Sequence, residues 1–219
     1  IHRQLLRVGQ IDLWGFVDVH PSWEKNLKQV FPVEKFEWVV GSSGQNQRLM
    51  LAIRKEKFTL VRQFELHQVN PEGKGRSPLV AEVKSVSSGL FFYLMVNHLQ
   101  ASDQTARIQE AKAINVWASE QPMPVVAIGN YHFNWSLLGG ARDAGFNEME
   151  KRDVFDWVIP KKLIPTHCDA NAYILDFIWV SGGAQKWHAE ADILFPQPAY
   201  CPDARPKSDH RPIKAVFWP

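Results

Sequence analysis

A chain of 219 residues with 45% hydrophobic and 22% charged residues fits one folded domain and excludes a disordered polymer. The net charge of +2 is too balanced for charge alone to indicate a nucleic-acid partner. The longest apolar run, Leu90–Val96, falls far short of the ~20 residues that cross a bilayer as a helix, so no membrane span is expected. No signal peptide is visible, which sets a cytoplasmic location as the expectation. Cys168 and Cys201 fit either one bridge or two free thiols.

In chain order, Ile1–Gln10 reads as the end of a helix and Leu13–Val19 as a strand stopped by Pro21. A short helix is predicted over Trp23–Val30, then a strand over Phe36–Val40 and a turn at Gly41–Gly44. Arg48–Ile53 and Lys57–Val61 read as a hairpin pair, with further strands at Leu79–Val83 and Leu90–Val96. Asp103–Glu120 is the clearest helix, with Asp103 placed to cap it. Val125–Ile128, Tyr173–Val180 and Ile213–Phe217 complete the strands. Hairpin-like grouping with interspersed helices predicts an α/β sandwich, two packed sheets with helices outside, in a single domain over 1–219. Neither Gly-x-Gly-x-x-Gly nor a P-loop is present, so neither nucleotide cradle is expected.

Polar clusters follow several strands: Asp18-Val19-His20, Asn97-His98-Leu99, Gly129-Asn130-Tyr131-His132 and Ser208-Asp209-His210-Arg211-Pro212. Asp176 interrupts the apolar run Tyr173–Val180, and a carboxylate buried there requires a cation, a histidine or a metal beside it. His20 and His67 are expected at the surface, and His167 and His188 in polar loops. The tryptophans at 14, 117, 135, 157, 179 and 187 fit the core better than a base-stacking platform.

The order of these segments resembles the endonuclease/exonuclease/phosphatase superfamily. Ser208–Pro212 is similar to its terminal Ser-Asp-His-Arg-Pro signature, Val96-Asn97-His98-Leu99 to its Asn-x-His-Leu strand end, and Leu175–Ile178 to its Asp-Tyr-Ile strand. Val126–Gly129 leads into the place of its Gly-Asp-x-Asn motif and Asp12–Gly15 into that of its Gln-Glu-Val motif. The Gly41–Gly44 turn and the Gly75–Leu79 loop also match. The resemblance implies a four-layered, deoxyribonuclease I-like sandwich and phosphate-ester hydrolysis by water, assisted by Mg²⁺ or Mn²⁺. It implies that Asp209 is a metal-side carboxylate, that His210 contacts the phosphate and is oriented by Asp176, and that His98 acts from the opposite wall. Arg76 and Asn97 become substrate contacts.

Other positions depart from the family pattern. Asp18 stands in place of the metal-binding Glu, Asn130 in place of an Asp, and His132 in place of an Asn. An amide cannot accept a proton from water at neutral pH, so a weakened catalytic set or an inactive binding module is implied. A rearranged metal site of Asp18, His132 and Asp209 is the other reading. The family's first strand has no counterpart in this sequence, and a partner chain or segment is expected to cover that position. Kinship implies a phosphate-ester substrate, with nucleic acid one class among several.

Overall fold

A computed structural model describes residues 2–73, 75–168, 173–200 and 208–219. Helix α1 (His2–Arg7) leads to β1 (Leu13–Val19), α2 (Pro21–Val30), β2 (Phe36–Val40), β3 (Arg48–Arg54) and β4 (Phe58–Glu65). Next come β5 (Leu79–Ser85), β6 (Phe91–His98), α3 (Gln104–Ser119), β7 (Val125–Ser136) and α4 (Ala144–Glu150). The chain closes with β8 (Phe155–Trp157), β9 (Tyr173–Ser181), β10 (His188–Ile193) and β11 (Ile213–Trp218).

The main sheet has six strands in the order β4-β5-β6-β7-β9-β8. Its one parallel pair is β6–β7, and α3 is the crossover such a pair requires. A three-stranded group, β1-β3-β2, and a two-stranded group, β10-β11, both pack on one face of that sheet. Period-two alternation divides the main sheet between two cores. In β6, Phe92, Leu94 and Val96 face the smaller sheets, whereas Tyr93 and Met95 face α3 and α4. Strand β3 reads as a continuous apolar run because it is covered twice. Leu49, Leu51 and Ile53 point to the main sheet, while Met50 and Ala52 point to Leu27 and Phe31 at α2. The order of layers is helix, sheet, sheet, helix.

Asp103 caps α3 as its position suggests, accepting from the Ala106 amide at 2.9 Å. Three elements escape the pattern reading. Helix α4 spans 7 residues and β8 only 3, too short to show a period. Strand β10 alternates apolar with charged side chains, and its outer face meets solvent. Strand β7 also runs past Gly129 to Ser136, because Tyr131 and Phe133 are buried beyond it. The glycine that reads as a stop is instead a close approach: a Cβ there would sit 2.0 Å from the Asn97 carbonyl oxygen. Trp179 is fully buried in a ring cluster with Tyr131, Phe133, Phe146 and Phe177. Cys168 is disulfide-bonded, and Cys201 lies outside the described residues.

Candidate functional site

Register places the site. His98 at the end of β6 is opposite Asn130 of β7, which is opposite Asp176 of β9, so three strands present a polar row at one end of the sheet. Gly129, at φ +136°, lets β6 and β7 close on each other at that row. Two bulges re-aim side chains beside it. Strand β1 slips register between Phe16 and Val19, where Asp18 takes φ +55°. Strand β7 slips between Asn130 and Trp135, where His132 and Asn134 take φ +52° and +47°. Left-handed backbone at three non-glycine residues costs on the order of 1–3 kcal/mol each, a strain that concentrates at functional positions.

One wall is a carboxylate–imidazole pair. Asp176 Oδ2 is 2.7 Å from His210 Nδ1, and the Thr166 hydroxyl accepts from the Leu175 and Asp176 amides at 2.9 and 3.2 Å. Burial pushes the Asp176 carboxyl up, but the charge and hydrogen bond of His210 prevail and hold it below the usual carboxylate range. Burial likewise pulls His210 down, and Asp176, with Asp209 and Asp18 further off, outweighs it and raises the ring to about 9. His210 is therefore an imidazolium at neutral pH.

The opposite wall is a chain of contacts. An Arg76 Nη donates to Asp18 Oδ1, which lies 3.1 Å from His98 Nδ1, and His98 Nε2 is 3.0 Å from His132 Nε2. Burial raises the Asp18 carboxyl, but His98 and then Arg76 bring it below its ordinary value. Burial, followed by His98, lowers His132 to about 3, so that ring is neutral. Arg76 is fixed in turn by Gln47, through the backbone carbonyl at 2.9 Å and the side-chain oxygen at 2.5 Å. Glu65 ties the 41–44 turn to this loop. Its carboxylate accepts from the Ser42 and Ser43 amides at 2.9 and 3.1 Å, while Ser43 Oγ accepts from the Ser77 amide at 3.0 Å.

The structure brings Asp18, Arg76, His98, Asn130, His132, Asp176 and His210 to one end of the fold. Asn97 differs: it is fully buried beneath the row, and its amide donates to the Tyr131 hydroxyl at 2.9 Å. Asp209 is 62% exposed and lies 3.7 Å from His167. His20 and His67 are at the surface as expected; His20 caps α2. Thr166, Gln47 and Glu65 escaped sequence reasoning because isolated polar residues in loops or at a strand end carry no pattern. His167 is paired in a β-bridge with His210, across a separation of 43 residues that no local signal marks.

Behind the row, α3 clamps the loop that follows His98. Arg107, buried, donates to the Gln100 and Ala101 carbonyls at 2.6 and 3.0 Å and pairs with Asp143 at 2.8 Å. Glu110 accepts from the Gln100 amide at 2.8 Å. Burial pushes the Glu110 carboxyl up to about 7, against the pull of that amide and of Arg107.

A hard divalent ion needs several oxygen donors converging on one point. Asp18 Oδ1 is engaged by Arg76, and Asn130 Oδ1 accepts from the His132 amide at 3.1 Å. Asp209 faces His167 on the other wall. A hard ion here would therefore have to draw on the remaining oxygens of Asp18 and Asp209, with water or a bound phosphate completing its shell.

No protein-family model matches the chain, and no curated protein matches it by sequence. Solved structures do. An endonuclease/exonuclease/phosphatase from Bacteroides vulgatus superposes with a TM-score of 0.77 at 17% identity, covering 99% of this chain and 89% of that one. The mannosyl-6-phosphatase Bt3783 of Bacteroides thetaiotaomicron gives 0.72 at 16% identity, over 98% and 88%. D. rerio TDP2 complexed with single-strand DNA product gives 0.73 at 17% identity, over 99% and 90%. At this identity the likeness is one of fold: the chain carries the endonuclease/exonuclease/phosphatase fold over nearly its whole length.

Proposed function

We propose that the protein is a phosphoesterase-type module of reduced catalytic power, whose pocket binds a phosphate ester between the His210 wall and the Arg76–His98 wall. The observation that carries this is the Asp176–His210 pair, which holds an imidazolium at the pocket edge at neutral pH. Fixed donors aimed at phosphoryl oxygens bind the ground state and stabilise charge as water adds. His210 would donate to one non-bridging oxygen and the remaining Nη of Arg76 to another, while His98, engaged by Asp18 and His132, would hold that wall in place. Asp18 would keep Arg76 and His98 in place. Mannosyl-6-phosphatase and a DNA-bound TDP2 among the matched structures support a phosphate-bearing ligand without selecting one.

The proton-accepting side is weak. Asn130 is no base, and His132, lowered to about 3, accepts a proton poorly at pH 7. Slow hydrolysis is therefore expected, and the second reading, a binding module, is favoured by the Arg76–Asp18 pairing that closes the pocket on itself. The test is turnover of a chromogenic phosphodiester and of plasmid DNA, alongside affinity for inorganic phosphate. Turnover lost in His210→Ala supports the catalytic reading. Phosphate affinity lost in His210→Ala with no turnover, and turnover gained by Asn130→Asp with His132→Asn, supports the binding module. Phosphate binding indifferent to His210 sinks both.

The disulfide at Cys168 favours an oxidising compartment over the cytosol expected from sequence. No helix among the described residues is long and apolar enough to cross a membrane. Among the described residues β1 pairs only with β3 and β11 only with β10, which supports a reading in which another extended segment adds to those edges.

A further inference from the structure

His167, Asp209 and His210 each offer a ligand atom, and the three atoms lie within 4.8 Å of one another. They do not meet by chance of loop placement. His167 and His210 are partners in an antiparallel β-bridge, flanked by the Cys168 amide donating to the Asp209 carbonyl at 2.9 Å and the Arg211 amide donating to the Thr166 carbonyl at 2.7 Å. Residues paired in this way project from the same face, so backbone hydrogen bonds hold the two imidazoles together, and the Asp209 carboxylate approaches His167 to 3.7 Å. Disulfide bonding at Cys168 restrains one of the two paired segments further.

The carboxylate behind His210 also fits a bound ion. His210 Nδ1 is held by Asp176 at 2.7 Å, so an ion would take Nε2 by displacing its proton, and the ion-bound ring and the imidazolium are alternative states of this side chain. A carboxylate behind a ligating imidazole fixes its tautomer and orientation, and such an arrangement recurs around bound zinc. Two imidazoles and one carboxylate suit a borderline divalent ion, with at least one position left for an oxygen ligand. Mg²⁺, which prefers oxygen alone, is poorly served by the same set.

We infer that His167, Asp209 and His210 form a site for a borderline divalent transition ion of the Zn²⁺ or Co²⁺ type. This site is separate from any hard-cation site centred on Asp18. It shares His210 with the proposed phosphate pocket but stands on ligand geometry alone. Ion binding without turnover would leave it intact and count only against catalysis.

The test is titration of chelator-treated full chain with Co²⁺, followed by its visible absorption, and with Zn²⁺ against a chromophoric competitor. One ion per chain is expected, with micromolar or tighter affinity and a raised Tm on zinc addition. His167→Ala should weaken Zn²⁺ binding by ~100-fold and bleach the cobalt bands, and Asp176→Asn should weaken it by ~10–100-fold. Asp18→Asn should leave it within about twofold. His167→Gln supplies the same readout should alanine disturb the bridge, with near-UV dichroism of the metal-free variants as the check on folding. Wild-type affinity in folded His167→Ala and His167→Gln would overturn the inference. So would a stoichiometry lost only in Asp18→Asn, or absence of a micromolar site in the parent chain.

Discussion

Asp176 illustrates how one side chain can be unreadable alone and obligatory in place. Its neighbours along β9 are buried apolar residues, so its charge persists only through His210 and Thr166. For His210, a value raised from 6.5 to about 9 contributes stability that is complete below about 6.5 and lost as pH rises through about 9. For Asp176, lowered from 3.8, the contribution is present above that value and lost on acidification below it. Affinity for a phosphodiester, whose charge is constant over this range, should therefore hold level from pH 6.5 to 8 and fall as pH passes about 9, measured by calorimetry. Asp176→Asn should move that fall toward the ordinary histidine value and cost at least about tenfold in affinity at pH 8. Gly129 is the second residue whose identity is dictated by its surroundings. Gly129→Ala should lower stability in urea by about 3 kcal/mol or more, since both its φ of +136° and the Asn97 backbone oppose a Cβ.

At the scale of elements, α3 connects the parallel pair β6–β7 and also positions the loop beyond His98. Glu110 is the sensitive point. Its carboxyl, raised from 4.5 to about 7, favours the folded chain while protonated, so this contribution is lost as pH rises from 4.5 through about 7. Compared by thermal unfolding, the parent chain should lose stability relative to Glu110→Gln as pH rises from 5 to 8, a change of roughly 3 kcal/mol at most. The main sheet's helix-covered face gathers aromatic residues from β7, β8, β9 and α4. Phe177 touches Tyr131, Phe133, Phe146, Trp157 and Trp179, so Phe177→Ala should cost ~3–5 kcal/mol in denaturant unfolding.

Over the whole molecule, order should be graded outward from the main sheet. Strands β6, β7 and β9 are paired on both sides and covered on both faces, whereas β1 and β11 are half-buried edge strands of small sheets. Amide hydrogen exchange should therefore be slowest across β6–β7–β9 and faster by orders of magnitude in Leu13–Val19 and Ile213–Trp218. Equal protection in all five strands would show that those edges are covered in solution. His98, Asn130 and Asp176 stand on these three central strands, whereas Arg76 is brought from a loop that Glu65 and Gln47 fasten.

Much of the fold was legible because its signals are local. The unbroken apolar run Leu90–Val96, the capping Asp103 and the terminal Ser208–Pro212 segment each act within a few residues. Resemblance of ordered motifs then supplied an architecture that periodicity alone leaves open. Short elements such as α4 and β8 were not legible, since tertiary packing rather than propensity decides them. By itself, the sequence determined which chemistry is present: a carboxylate within an apolar strand, four histidines near strand ends, and an amide where a base is expected. Only the tertiary structure decided which of these groups meet. Asp18 is held by Arg76 and His98, and His167 joins Asp209 and His210, because sheet register and backbone bulges act between segments far apart in the chain.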